Sequence, residues 1–212
     1  MKFPNAFSGV KKIYTAEILD LIAALATLVA AVLAVVAAGA ANAESVGGAL
    51  ASLAGTAILG VASMVLGILA LIFMLIGLSA AGKDEPKFKN ALIFAVLSLA
   101  ASVLSSVFSG NEFLKNLMPV IAEICDLAVI ILVIQGIVNL AKQLTREDME
   151  AKGASILKLI VCVLVLSIIA RAILLFAPTL SLIMALVAAV LDVIRYFIYL
   201  SYLKKSKAML EA

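Results

Sequence analysis

The feature that most constrains this chain is a long run, residues 46–82, that contains no charged side chain. As one α-helix the run would be about 55 Å long, because a helix rises about 1.5 Å per residue. The hydrocarbon core of a bilayer is about 30 Å thick and is spanned by about 20 apolar residues. The run therefore predicts a membrane-spanning helix that tilts, kinks or protrudes, with Gly55, Gly60 and Gly67 as candidate bend points. Two spans and a turn would barely fit, so we expect one long helix.

Composition extends this interpretation to the whole chain. Hydrophobic residues make up 66% of the sequence and charged residues 14%, and the mean hydropathy is +1.26. Soluble domains average about 45–50% apolar and about 25% charged residues. So few polar residues could not cover a core of this size in water. We therefore expect an all-α protein in a lipid bilayer, with residues 1–212 forming a single integral membrane domain.

Apolar segments predict a polytopic transmembrane bundle of six spans, arranged as three helical hairpins. The spans are placed at residues 18–38, 49–81, 88–108, 118–141, 154–177 and 178–203. The closing ends of the hairpins, residues 77–79, 138–140 and 199–201, are each followed within a few residues by lysine, which faintly suggests an internal repeat. Topology alone also explains this likeness, so true repetition stays open.

Basic residues predict the orientation, because Lys and Arg accumulate in cytoplasmic loops. Thirteen of the 16 fall on one predicted side: Lys2, Lys11, Lys12, Lys83, Lys87, Lys89, Lys142, Arg146, Lys152, Lys158, Lys204, Lys205 and Lys207. Tyrosine favours the membrane interface, and all four tyrosines fall on the same side: Tyr14, Tyr196, Tyr199 and Tyr202. We expect both termini in the cytoplasm, and a cell membrane location of the bacterial inner-membrane type.

A second interpretation of the first span is a cleaved secretory signal. Lys11 and Lys12, an apolar stretch and the small residues 41–43 resemble such a signal and its cleavage site. The stretch is about 20 residues, longer than the roughly 7 to 15 of a signal core, and Glu17 and Asp20 interrupt its start. We therefore expect the span to be retained.

Local signals predict several helix starts. Pro119 and Pro178 suit the first turn of a helix, where the missing N–H would be unpaired anyway. Thr145 and Asp148 fit a loose capping box, which predicts a short helix over residues 146–152 that runs into the fifth span.

Charged residues at membrane depth form two groups, because each is costly there and therefore tends to face the bundle. Glu123 and Asp126 lie three residues apart on one face of the fourth span, and Arg171 lies at a similar depth in the fifth. We name these three residues the outer group. We predict that Arg171 contacts one of the two carboxylates, either as a lock between helices or as part of a polar solute site.

The second group, which we name the inner cluster, lies toward the cytoplasmic ends of the first, fourth and sixth spans. Its members are Asp20, Gln135, Asn139, Asp192 and Arg195. At comparable depth they could line an inner cavity. The plainer interpretation is structural, since Arg195 can extend its charged end to water at little cost.

Small residues predict helix contacts, because apolar helices in lipid associate by close packing. The first span carries such residues four apart: Ala26, Ala30, Ala34 and Ala38. The second span has Ser52, Thr56, Gly60, Ser63 and Gly67, and the third has Ser98, Ser102 and Ser105. We expect these faces to pack within the bundle. A docking face for a membrane protein partner is the alternative for the first span.

Several functions are not expected. The chain has no histidine, and Cys125 and Cys162 stand alone in apolar segments, where such residues are usually small buried hydrophobes. No metal site, cofactor or catalytic residue is therefore predicted, and no hydrolase or phosphate-loop motif is present. Basic residues are dispersed instead of forming one face, so nucleic-acid binding is not expected.

The chain resembles the substrate-binding subunits of energy-coupling-factor transporters in its six predicted spans and cytoplasmic ends. In those subunits an A-x-x-x-A face docks on a partner, and Ala26, Ala30 and Ala34 would match that face. The later loops lack a vitamin-binding signature. Two functional classes stay open. One is a small-solute carrier or membrane-embedded substrate-binding subunit, and the other is a non-transporting membrane protein that scaffolds or regulates partners.

Overall fold

The computed structural model describes residues 2–42, 46–108, 111–176 and 181–211, and it is all-helical there. The helices are α1 (Pro4–Asn42), α2 (Val46–Ala81), α3 (Pro86–Val107), α4 (Glu112–Gln143), α5 (Glu147–Phe176) and α6 (Ser181–Glu211). The predicted helical class is therefore confirmed. Within the described residues, four segments are long and apolar enough to span a membrane: Pro4–Ala30, Gly55–Ala81, Pro86–Val107 and Val120–Gln143.

The chain divides into two compact units. One consists of Lys11–Gly77, and the other of Met1–Val10 with Leu78–Ala212. The charge-free run forms one continuous helix, α2, of 36 residues, as predicted, and its residues up to Gly77 belong to the first unit. Gly55 lies close to α1, because a Cβ added there would stand 3.3 Å from Leu33 Cδ1. The Thr56 hydroxyl also donates to the Ala30 carbonyl oxygen at 3.5 Å.

In the second unit, α3 packs along α4, α4 contacts α5, and α5 contacts α6. The buried face of α3 recurs every three or four residues, as helical geometry requires. It consists of Phe88, Ala91, Ala95, Ser98 and Ala101. Its small side chains let α4 approach closely. At the end of this face, a Cβ added to Gly136 would stand 2.8 Å from Phe88 Cε2, so only glycine fits there without a shift.

Two predicted helix starts are wrong. Helix α4 begins at Glu112, well before Pro119, because the Asn111 side chain accepts from the Leu114 N–H at 3.2 Å and caps the helix earlier. Thr145 does not cap α5 but ends α4. Its φ of 55° is left-handed, and the Arg146 N–H donates to the Ala141 carbonyl at 2.9 Å. The start predicted at Pro178 lies outside the described residues.

Helix α5 begins at Glu147 and continues into the apolar segment, as expected for the short helix that runs into the fifth span. The two cysteines differ: Cys125 is buried as expected, whereas Cys162 is exposed.

Candidate functional site at the polar helix ends

The turn between α2 and α3 carries a carboxylate that caps another helix. Asp84 Oδ2 accepts from the Ala6 N–H at 2.8 Å, and Asp84 Oδ1 accepts from Asn5 Nδ2 at 2.9 Å. The first N–H groups of an α-helix have no partner within the helix, and its N-terminus attracts negative charge. Asp84 therefore holds the start of α1 against the start of α3.

Glu85, the next residue, is 6% exposed. It is the N-cap of α3, and its Oε1 accepts from the Lys87 N–H at 3.4 Å and from Asn139 Nδ2 at 3.0 Å. A buried carboxylate needs such donors because it has lost its water. Glu85 thus joins the start of α3 to the last turns of α4.

The turn between α4 and α5 is charged and open. Arg146 Nε lies 3.2 Å from Asp148 Oδ1, and Lys142 Nζ lies 3.3 Å from Glu150 Oε1. The hydrogen bond from Arg146 lowers the pKa of Asp148 below its ordinary value. Since Arg146 and Asp148 are both exposed to solvent, this pair contributes little to folding.

A groove lies between the first part of α5 and the last part of α6. It has a volume of about 350 Å³ and is lined by Lys152, Ile156, Phe197, Ile198, Ser201, Tyr202 and Lys205. Gly153, beside it, leaves room for the Tyr202 hydroxyl, because a Cβ added at Gly153 would overlap that atom. The groove therefore has two ammonium groups, two hydroxyl-bearing side chains and an apolar floor, which consists of Ile156, Phe197 and Ile198.

The outer group is described only in part. Glu123 and Asp126 are both exposed on α4. Arg171 belongs to the backbone of α5, but its side chain lies outside the described residues. The contact between Arg171 and a carboxylate therefore stays a prediction.

The inner cluster is not seen assembled. Asn139 donates to Glu85, a residue that the sequence analysis did not select, and Gln135 is half-buried. Asp20 is exposed and belongs to the other unit. The side chains of Asp192 and Arg195 lie outside the described residues.

The signal for Glu85 was present in the sequence. A carboxylate directly before Pro86 is typical of the residue that caps a helix with proline in its first turn.

The predicted packing faces are also described in part. Ala30 is buried and its carbonyl accepts from Thr56, and Ala26 is half-buried. The side chains of Ala34 and Ala38 lie outside the described residues. A Cβ added at Gly60 or Gly67 would meet no described atom within 4 Å. The close packing expected at these glycines is therefore not seen in the part of the chain that the structure describes, and it stays a prediction.

Comparisons with known proteins find no match: no family model, no curated protein and no solved structure matches this chain.

Proposed function

We propose that this chain is a non-enzymatic integral membrane protein whose six helices all span the bilayer as three hairpins, with both termini in the cytoplasm. One observation carries the proposal, namely the large apolar side chains that the helices expose. Ile58, Val61 and Met64 on α2 are 65–70% exposed. In the four candidate spans, only 6–39% of the most apolar window is buried within the protein. Lipid contact removes the cost of this surface.

The lengths of α5 and α6 support counting them as spans. Helix α5 has 30 residues and α6 has 31, so each is about 45 Å long. This exceeds the roughly 30 Å of hydrocarbon that a span must cross. With all six helices crossing, the thirteen basic residues of one predicted side share a surface, in agreement with the positive-inside tendency.

Cysteine accessibility labelling tests this topology. In a background where Cys125 and Cys162 are replaced by serine, single cysteines are introduced by Lys87→Cys, Arg146→Cys, Glu44→Cys and Glu112→Cys. We expect a membrane-impermeant maleimide to label the cysteines at 44 and 112 in intact cells. Those at 87 and 146 should react only after permeabilisation.

A result that places positions 87 and 146 on opposite faces would overturn the six-span arrangement. The parent without cysteine serves as the control for background labelling.

Within this topology, we propose that the outer group forms a polar site for a small solute. The proposal rests on Glu123 and Asp126, which share an exposed face of the long apolar helix α4. Charged groups within a membrane span are rare and costly, so such residues often mark a binding or transport path. The substrate class would be a small solute that carries a cationic or hydrogen-bonding group complementary to a carboxylate.

The second candidate function, a scaffold for a membrane partner, is favoured by the open face of α2. Gly60 and Gly67 meet no described neighbour there, and such residues let a second helix approach closely. Native mass spectrometry in mild detergent separates the two functions. A retained small molecule supports the solute site, whereas a stoichiometric protein partner supports the scaffold.

A further inference from the structure

The groove between α5 and α6 combines charge and apolar surface in one place. Lys152 comes from the start of α5 and Lys205 from the end of α6, while Ile156, Phe197 and Ile198 supply apolar lining. Both lysines are exposed and line the same groove, so together they favour an anion there. The groove is therefore suited to a ligand that is anionic at one end and apolar at the other.

The ion pairs found among the described residues at this end of the protein use other cations. Lys142 pairs with Glu150, and Arg146 pairs with Asp148, whereas no ion pair among the described residues uses Lys152 or Lys205. The hydrogen bond from Arg146 is the main cause that lowers the pKa of Asp148, and the charge of Lys152 adds a smaller effect. Asp148 is exposed and hydrogen-bonded to Arg146, so it leaves the charge of the groove positive.

Tyr202 gives a second, independent indication of a ligand. It lines the groove and is 2% exposed, and its hydroxyl has no hydrogen-bond partner among the described residues. An unpaired buried hydroxyl costs about 1 to 3 kcal/mol. The hydroxyl lies against Gly153, beside the groove, and a water that links it to a ligand oxygen would remove that cost.

We propose that this groove binds an anionic phospholipid, with the lipid phosphate between Lys152 and Lys205 and the glycerol and first acyl carbons on the apolar floor. The choice of lipid over a soluble phosphate follows from the floor, which a free phosphate would leave uncovered. It also follows from position, because basic side chains next to an apolar helix favour anionic headgroups. The inference rests on the proposed membrane location, but not on the solute site or on the direction of the spans.

The test compares lipid retention in two matched double variants. Lys152→Gln/Lys205→Gln removes both groove charges. Lys158→Gln/Lys204→Gln removes two exposed lysines from the same helices, outside the groove. Each protein is purified in mild detergent with equal phosphatidylglycerol and phosphatidylcholine, and retained lipid is counted by native mass spectrometry.

We expect the unsubstituted protein and the control variant to retain phosphatidylglycerol preferentially. The groove variant should lose about twentyfold to thirtyfold in affinity for it, since each lysine is worth about fivefold at an anionic surface. If the groove variant folds poorly, the single variants Lys152→Gln and Lys205→Gln replace it, and each should lose about fivefold in affinity for phosphatidylglycerol. Lys152→Arg/Lys205→Arg keeps both charges and should still bind the lipid. Equal losses in the groove and control variants would overturn the proposal.

Inorganic phosphate distinguishes the two sources of the anion. An excess of it should leave the bound lipid in place. Release of the lipid, with phosphate bound through the same lysines, would reject the lipid as occupant. A chain recovered without detergent would refute the membrane location itself, which is a different outcome from a membrane protein that shows no lipid preference.

Discussion

Gly136 shows how one missing side chain positions two helices. It lies where Phe88 of α3 crosses α4, and an added Cβ would stand 2.8 Å from the ring. Gly67 on α2 is the opposite case, since an added Cβ there would meet no described atom within 4 Å. From sequence alone, these two glycines cannot be told apart, because both lie in apolar helices.

Gly136→Ala should destabilise the protein by about 1 to 3 kcal/mol, the usual cost of overpacking. Thermal unfolding in mild detergent measures the effect, and Gly67→Ala is the matched control, for which no loss is expected. Adding Phe88→Leu to Gly136→Ala should restore part of the stability. Equal melting of Gly136→Ala and the unsubstituted protein would contradict the contact.

The observed helices extend beyond the predicted membrane spans at several of their ends. The second predicted span matches the apolar part of α2, and α3 starts at Pro86, two residues before the predicted span. Helix α1 starts at Pro4, far before residue 18, and α6 continues to Glu211, beyond residue 203. Apolar length reports where lipid contact ends, whereas a helix continues through polar residues until a cap such as Asn111 or a left-handed residue such as Thr145 stops it.

Asp84→Ala should cost about 1 kcal/mol, because it leaves the Ala6 N–H without its cap. Amide hydrogen exchange should speed up at residues 4–10 more than in α4. Asp84→Asn keeps an acceptor oxygen, so its exchange rate at residues 4–10 should lie between those of the unsubstituted protein and Asp84→Ala. Asp148→Ala removes an exposed carboxylate and should leave hydrogen exchange at α1 unchanged. Equal protection of residues 4–10 in all variants would rule out the cap.

At the scale of the whole molecule, the apolar exterior dominates. The described helices expose large apolar side chains along their lengths, while hydrogen-bonded carboxylates such as Asp84 and Glu85 lie at the helix ends. The outer group departs from this pattern, because Glu123 and Asp126 lie within a candidate span. The role of these two carboxylates therefore decides whether the bundle contains a polar site among its apolar helices.

Arg171→Ala should lower the melting temperature in detergent if Arg171 faces one of these carboxylates, since a charge would be left without its counter-ion. Adding Glu123→Gln or Asp126→Asn should restore stability for whichever carboxylate is the partner. Lys158→Ala, on the same helix, is the control for loss of a positive charge. An Arg171→Ala variant that melts normally but no longer retains a small molecule would support the proposed solute site and exclude the ion pair as a lock between helices.

The sequence by itself determined the helical class, the single long α2 and the apolar segments, because these depend on hydrogen bonds within a helix and on the length of apolar runs. The cap signal of Glu85 beside Pro86 is present in the sequence but was not among the predictions, and the predicted cap at Thr145 is wrong because its left-handed φ ends α4.

Only the tertiary structure decided which side chains meet. Phe88 meets Gly136, Asp84 caps a helix that begins 80 residues earlier, and Lys152 shares a groove with Lys205. The physical reason is that these helices are apolar on most faces, so no polar side shows how each is rotated toward its neighbours. That rotation is set by close packing and by a few hydrogen bonds between distant parts of the chain.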